Sequence, residues 1–354
     1  MDDCYTHFNN AKLYQSKGEI PNAIKEIELA LIGIDKVDID TLIGFCHPNN
    51  EDNSVLVPTK TNLKAISSMI HFHAAELYAM AGDSEKSLYH YQFYHYYCSQ
   101  TSLPKKLKEK DSVVLYSFRN YSEYSLGDII NNQITFCHPS LMNDPFDSIA
   151  NLWTTKESLE RRCTEQKHIE PFHKSFDYYR IRSFVANKMN YETDDSILKK
   201  ILMWTHYANH HEGFCIKYRL SKHFMKSATI SDDKSTVNLL CIKPIDYSQD
   251  FEIPDTQKSI DTNLAYFTKS NCWNYEDEVR LLCYDTSSEE KILSLPLDDE
   301  SQIEEIIFGY RSDKKNIETI KSLINEFSTL KKVKLYKMAQ DIRKGVYNLT
   351  KEMI

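Results

Sequence analysis

Two stretches of this chain repeat one spacing of small and aromatic residues, and that repetition limits what its N-terminal part can form. Ala11, Tyr14 and Gly18 are matched by Ala75, Tyr78 and Gly82, and Ser87 takes the place of Ala23. Around the first copy, Ala11, Tyr14, Ala23, Ile24, Ile27, Ala30 and Leu31 recur at steps that place them along one helix face. Each glycine falls between two helical runs. Each copy is therefore expected to be a pair of helices turning at Gly18 or Gly82, with small residues letting the pair approach closely.

The phrase AKLYQSKGEIPNAIKEIELAL resembles a tetratricopeptide repeat, and HAAELYAMAGDSEKSLYHYQFYHY resembles a second, tyrosine-rich copy. The two glycines are separated by nearly twice the repeat period of about 34 residues, so the copies do not follow one another directly. Residues 43–62 between them, polar and with two prolines, are expected to form a loop or a degenerate unit. Such repeats bury their apolar faces against neighbours. The resemblance implies a groove for a protein or peptide partner, or a helical cap on the rest of the chain. His90 and His95 show no ligand spacing and are expected to pack or to face solvent.

Pro104 and the lysine-rich run after it mark a boundary. The expected organisation is a tetratricopeptide-like helical domain over 1–103, a linker over 104–112 and a mixed α+β domain over 113–354. In the last, strands are expected at 113–119, 179–187, 214–220 and 273–284, and one helix across 192–213 with Asp194 or Asp195 as its cap. The fold class is α+β: helical hairpins followed by a largely antiparallel sheet, with room for a split.

A formal net charge of −8 over a mixed sequence does not indicate nucleic acid as a target and leaves only a local basic groove open. Nine cysteines without a C-x-x-C pair suit reduced thiols in a cytoplasm. No signal-type N-terminus and no run near the ~18 apolar residues of a membrane span are present, so no membrane association is expected. Eight glycines and no G-x-G-x-x-G or Walker-type loop argue against the usual glycine-built phosphate cradles.

The stretch WNYEDEVR, read as part of a strand, places Glu276, Glu278 and Arg280 on one face and Asp277, Val279, Leu281 and Cys283 on the other. The second set is core material, so the first is a candidate site. Its rival reading is a solvated charge ladder. Trp204 and Trp273 suit stacking on a ring or a half-buried core position. Asn143 and Asp144 lie on a turn, where they serve backbone hydrogen bonds or a site. His206 and His210 have a helical metal spacing but no third ligand, and no metal is expected.

LYSFR, SLMNDPFD, MWTHYANHHEGFCI, KSNCWNYEDEVRLL and EEIIFGYR occur in the order of bacterial domain-of-unknown-function family 2971, which residues 113–338 resemble. A second resemblance is to the ADP-ribosyltransferase superfamily, through its order of arginine, serine and E-x-E motifs. That resemblance implies NAD as substrate, bound with the help of Arg119, and catalysis by Glu278 at the ribose with Glu276 serving the acceptor. It places Ser183 in the middle motif, although Phe184 and Val185 replace the usual Thr-Ser that follows. Tyr207 competes for the position, as in the tyrosine class. Trp204, Trp273, Arg280, Asn143 and Asp144 complete the expected NAD contacts. The implied setting is a toxin or defence effector. Two other functions stay open: a non-catalytic ligand- or protein-binding module, and a metal-dependent phosphodiester hydrolase using Asp144, Glu276 and Glu278.

Overall fold

The computed structural model describes residues 2–35, 60–99, 110–144, 147–148, 169–226, 237–247, 266–286, 288–327, 330–341, 343 and 348–354. Most of the expected linker (104–109) and of the polar stretch (43–59) lies outside them. The chain divides into two units. Met1–Thr101 with Leu152–Tyr178 form one, and Ser102–Asn151 with Tyr179–Ile354 the other.

In the first unit, α1 (Asp2–Ser16) pairs with α2 (Ile20–Asp35), and α3 (Lys60–Met80) with α4 (Ser84–Ser99). Gly18 (φ 77°) and Gly82 (φ 82°) turn the chain between partners through the left-handed region that glycine enters at no steric cost. Ala11, Ala23, Ala30, Ala75 and Ser87 are fully buried at the close contacts, as the repeated spacing requires. Ser87 Oγ donates to the Ala75 carbonyl at 2.8 Å, so the hydroxyl fits where the first hairpin has Ala23. Both histidines pack rather than face solvent. Burial pushes the pKa of His90 down to about 4 and that of His95 to about 3. A short helix, Ile169–Phe176, joins the same unit, with Ser175 bonded to His95 at 2.8 Å and Phe172 against Tyr91. The helical unit thus includes residues that the expected boundaries gave to the second domain.

The second unit is built on a sheet of ten strands: β1 (Ser112–Arg119), β2 (Gln133–Cys137), β3 (Tyr179–Val185), β4 (Phe214–Ser221), β5 (Val237–Pro244), β6 (Glu278–Asp285), β7 (Ile292–Pro296), β8 (Gln302–Phe308), β9 (Lys334–Gln340) and β10 (Leu349–Met353). The path runs β10-β9-β8-β4-β1-β3-β2-β7, while β6 pairs with β3 and β5. Among the described strands, only β8 and β9 pair in parallel. The protein is therefore α+β with a largely antiparallel sheet. β1 and β4 pair along their whole length, from Ser112 opposite Ser221 to Arg119 opposite Phe214. By contrast, β1 meets β3 only at Tyr116 and Val185, and β2 meets β3 only at Cys137 and Ile181. β6 pairs with the whole of β3 along one edge, so the sheet opens along the other edge, between the single-pair contacts with β1 and β2.

Helices α5 (Glu123–Ile130), α6 (Ile201–Tyr207) and α7 (Lys314–Glu326) cover the sheet. Along β1, Val113 and Leu115 enter one apolar core with Ile129 of α5 and Ile317, Ile320 and Ile324 of α7. Val114, Tyr116 and Phe118 enter another with Met203 and Trp204 of α6. This is the two-residue alternation of a strand buried on both faces. Among the described residues, no helix is long and apolar enough to cross a membrane.

The single helix expected across 192–213 is broken. A 3-10 turn at Asp195–Lys199 precedes α6, and Asn209, His210 and His211 follow it with positive φ. Asp194 caps the turn by accepting from the Ser196 N–H at 2.9 Å. Gly213 then enters β4 so close to β1 that a Cβ there would stand 2.2 Å from the Arg119 carbonyl oxygen. That backbone contact cannot yield as a side chain would. Gly213→Ala is expected to destabilise the protein by about 1–3 kcal/mol, measured as a lower midpoint in urea unfolding. An unchanged midpoint would show that the β1–β4 contact is slack.

Candidate functional site

A cavity of about 550 Å³ opens where β1 and β3 separate. Arg119, Arg182, Ser183, Tyr207, Glu276 and Glu278 all line it, with Asn143, His206 and Lys269. By alternation, Arg119 follows Val113, Leu115 and Ser117 on one sheet face. Glu278 and Arg280 lie opposite to Val279 and Leu281, whose side chains enter that same core. The cavity receives both Arg119 and Glu278 because the β1–β3 ladder stops after one residue pair and leaves a gap in the sheet.

The acidic end corrects the strand expected over 273–284. Asn271–Glu276 is a 3-10 turn, Asp277 has a left-handed backbone (φ 49°), and only at Glu278 does β6 begin. Glu278 and Arg280 share a face as alternation requires. Glu276 reaches the same place from the turn instead. Asp277, expected on the core face, is half-buried and pairs with Lys200 at 2.5 Å and Lys188 at 3.6 Å.

Lys269 joins the acids. Its Nζ lies 2.7 Å from Glu276 Oε2, 3.3 Å from Glu278 Oε2 and 3.5 Å from Asp147 Oδ2. Arg280 donates from Nε to Glu278 Oε1 at 2.5 Å and from Nη2 to Asp147 Oδ2 at 2.6 Å. The Tyr207 hydroxyl donates a short bond to Glu276 Oε1, and Asn143 bonds to Tyr207. Both glutamates are only 3% exposed.

These surroundings separate the two carboxyl groups. Burial would raise the pKa of Glu278, but Arg280 and Lys269 outweigh it and hold the group down to about 2. Burial raises the pKa of Glu276, and the charge of Glu278 adds to the rise while Lys269 opposes it. Burial beside Glu276 also pushes Tyr207 up, so its hydroxyl stays a donor. One carboxylate is firmly ionised and its neighbour takes a proton more readily, the arrangement that lets two acids serve different roles.

The basic end differs. Arg182 is bound to Asp128 and Ser117 at 3.1 Å each and to the Thr135 carbonyl at 3.1 Å. Arg119 has no hydrogen bond or ion pair among the described residues, and its Nε is buried without a partner. Burial and the nearby Arg182 pull its pKa down to about 10, which leaves it a cation still. A guanidinium with no acceptor, on the wall of a cavity, is a ready anion site.

The remaining expected residues divide. Ser183 Oγ sits beside the Glu278 carboxylate without a well-formed hydrogen bond. Arg280 lies beneath the acids rather than on the wall. Trp204 is a core residue: fully buried, it donates from Nε1 to the Leu198 carbonyl at 2.8 Å and packs edge-on against Phe118, because Met203, His206 and Tyr207 form the stripe of α6 that meets the cavity. Trp273 does not line the wall either; the Lys269 ammonium lies 4.8 Å from its ring centre. Asp144 is half-buried off the wall. His206 lines the cavity, while His210 lies past the end of α6, so the helical spacing of the pair is not realised.

No spacing in the sequence marks Lys269, Asp147 or Arg182 as a site residue. Lys269 stands in the same KSNCWNYEDEVRLL block as the glutamates, and Asp147 in SLMNDPFD, so block membership was the available signal.

Tyr207, Lys269, Glu276, Glu278 and Arg280 come from one continuous part of the chain. Residues 203–281 match the family described as Protein of unknown function (DUF2971). The resemblance read over 113–338 thus holds in this central span, and the family description assigns no reaction. No curated protein and no solved structure gives a significant match. The DUF2971 span supplies the whole acidic end except Asp147, whereas Arg119 and Arg182 lie before it.

Glu278→Gln is expected to cost about 3–5 kcal/mol at pH 7, because it leaves Arg280 and Lys269 short of a buried countercharge. A carboxyl with a depressed pKa in the folded protein stabilises it above the unfolded value, here about 4.5, and that contribution fades as pH falls towards about 2. The gap between variant and wild type should therefore narrow below about pH 4.5. Urea unfolding at a series of pH values measures it; a gap that stays constant would mean that Glu278 is not held ionised by these partners.

Proposed function

We propose that the second unit acts on a nucleotide, breaking the nicotinamide–ribose bond of NAD in an ADP-ribosyl transfer or glycohydrolase reaction. The observation that carries this reading is the Arg119 guanidinium, unpaired among the described residues, in one cavity with the buried Glu276–Glu278 pair. NAD joins an anionic diphosphate to a ribose whose anomeric carbon gains positive charge as its bond to nicotinamide breaks. Arg119 would hold the diphosphate, and the ionised Glu278 would stabilise the charge on the ribose. Glu276, bonded to Tyr207, would receive the acceptor's proton. The cavity volume of about 550 Å³ lies within the roughly 300–1,000 Å³ range of small-molecule sites.

On this reading the helical hairpins bind a protein or peptide, as target or restraint, and the protein works in the cytoplasm as a toxin or defence effector. The metal-dependent hydrolase is less well served. Asp144 stands off the cavity wall, and the oxygens of Glu276 and Glu278 already accept bonds from Lys269, Arg280 and Tyr207.

Incubation with NAD labelled in both halves tests the proposal. Wild type should release nicotinamide, and Glu278→Gln should not. Arg119→Gln should unfold no earlier than wild type, since Arg119 has no partner among the described residues to lose. It should weaken NAD binding about ten- to a hundredfold, the loss of a charge-assisted hydrogen bond worth about 1.5–3 kcal/mol. Equal turnover by wild type and Glu278→Gln would remove Glu278 from its role. Binding of NAD without turnover would favour the non-catalytic module, and no binding at millimolar concentration would sink the reading.

A further inference from the structure

The E-x-E pair is already occupied by the protein's own donors. Glu276 Oε1 accepts from Tyr207 and its Oε2 from Lys269 at 2.7 Å. Glu278 Oε1 accepts from Arg280 Nε at 2.5 Å, and its Oε2 from Lys269 at 3.3 Å and Arg280 Nη2 at 3.2 Å. Each of the four oxygens therefore has a donor, and three of them have a cationic one. An incoming arginine side chain would seek a carboxylate free of other cationic donors. Here Lys269 holds an oxygen of each carboxylate, and the Trp273 ring, with its centre 4.8 Å from the ammonium, helps to keep it there.

Charge points the same way. Among the described residues, the charged side chains on the cavity wall are three cations, Arg119, Arg182 and Lys269, and two anions, Glu276 and Glu278. Arg182 is offset by Asp128 beneath it, which leaves Arg119 and Lys269 against the two glutamates. Such a wall has no surplus negative charge to draw in a guanidinium. It suits the dinucleotide, whose diphosphate meets Arg119, and a neutral second reactant. Both glutamates are also almost wholly buried, within reach of a small molecule more easily than of an arginine on another protein's surface.

We propose that the acceptor at this site is water and that Lys269 is the positioning residue that excludes a guanidinium acceptor, which makes the reaction hydrolysis of NAD. The inference rests on the function proposed above for its chemical step. In that step, the water oxygen forms a bond to the anomeric carbon as the carbon–nitrogen bond to nicotinamide breaks. The electron pair of the broken bond leaves with the ring nitrogen, which becomes neutral. The water proton passes to the Glu276 carboxylate, and the products are ADP-ribose, nicotinamide and a proton.

Two measurements test this independently. The first is calorimetric titration of agmatine, which carries the guanidinium of an arginine side chain, into the protein without NAD. Wild type should show no saturable binding, whereas Lys269→Met and Lys269→Gln, by freeing Glu276 Oε2 and removing a cation from the wall, should bind agmatine at least about tenfold more tightly than any residual wild-type binding. Saturable agmatine binding by wild type that Glu276→Gln abolishes would overturn the proposal. So would the absence of binding by both Lys269 variants when their circular dichroism is that of the folded protein. The second measurement is the fate of labelled NAD. Free ADP-ribose, formed at the same rate with and without agmatine, is the expected result, and transfer of label to agmatine by wild type would overturn it. If no NAD is consumed, the reaction proposed above fails, and agmatine binding still decides whether Lys269 closes the site to a guanidinium.

Discussion

Asp147, Lys269, Glu276, Glu278 and Arg280 share one buried cluster, and none of these charges would remain buried as an ion without the others. Moving a single ion from water to a protein interior costs several kcal/mol. The cost is met here by mutual hydrogen bonding, with Lys269 touching three carboxylates and Arg280 two. The cluster ties together parts of the chain far apart in sequence: the turn that carries Asp147, the segment from Tyr266 to Glu276 and the start of β6. Their placement decides where the cavity has its acidic end. Because the acids are neutralised from below, Glu278 is kept ionised without need of solvent.

The opposite end is governed by an interaction that is missing. Arg182 is satisfied by Asp128, Ser117 and a backbone carbonyl, whereas Arg119 on the adjacent strand has no such partner among the described residues. Both follow from the opening of the sheet beside β3. Had β1 and β3 continued to pair beyond Tyr116 and Val185, the sheet would be closed and the two ends of the cavity would be separated by backbone. The single-pair junction turns a structural sheet into a wall with a passage through it.

Local features were legible in the sequence where their cause is local. The glycines at 18 and 82 and the buried alanines follow from helix period and turn chemistry, and both hairpins form. Val279, Leu281 and Cys283 declare a buried strand face, which also places Glu278 and Arg280 together. Glu276 reaches the same cavity as Glu278 by another route, since strand alternation does not operate through the 3-10 turn and the left-handed Asp277. A two-residue spacing is the same on paper in either case. The helix around Trp204 is shorter than the expected span 192–213 because a 3-10 turn precedes it and Asn209, His210 and His211 follow it with positive φ, which no side-chain pattern announces. Lys269 was not legible at all as a hub: its role depends on Asp147, a partner more than a hundred residues away, and on the fold that brings them within 3.5 Å. The resemblance to family 2971 supplied the blocks, and the structure supplied the pairings between them.

The helical unit is not one uninterrupted piece of chain. It begins at Met1, is left after Thr101, and is rejoined by Leu152–Tyr178, immediately before β3. During synthesis from the N-terminus, β1, α5 and β2 therefore emerge before the helix Ile169–Phe176 that packs on α4, and β3 emerges directly after it. The aromatic surface formed by Phe72, Tyr91 and Tyr94 must wait for Phe172 while the first strands of the sheet are already outside the ribosome. The order of translation thus interleaves the two folding events, and a gene cut at the boundary near residue 103 would separate a helical unit from the last of its own helices.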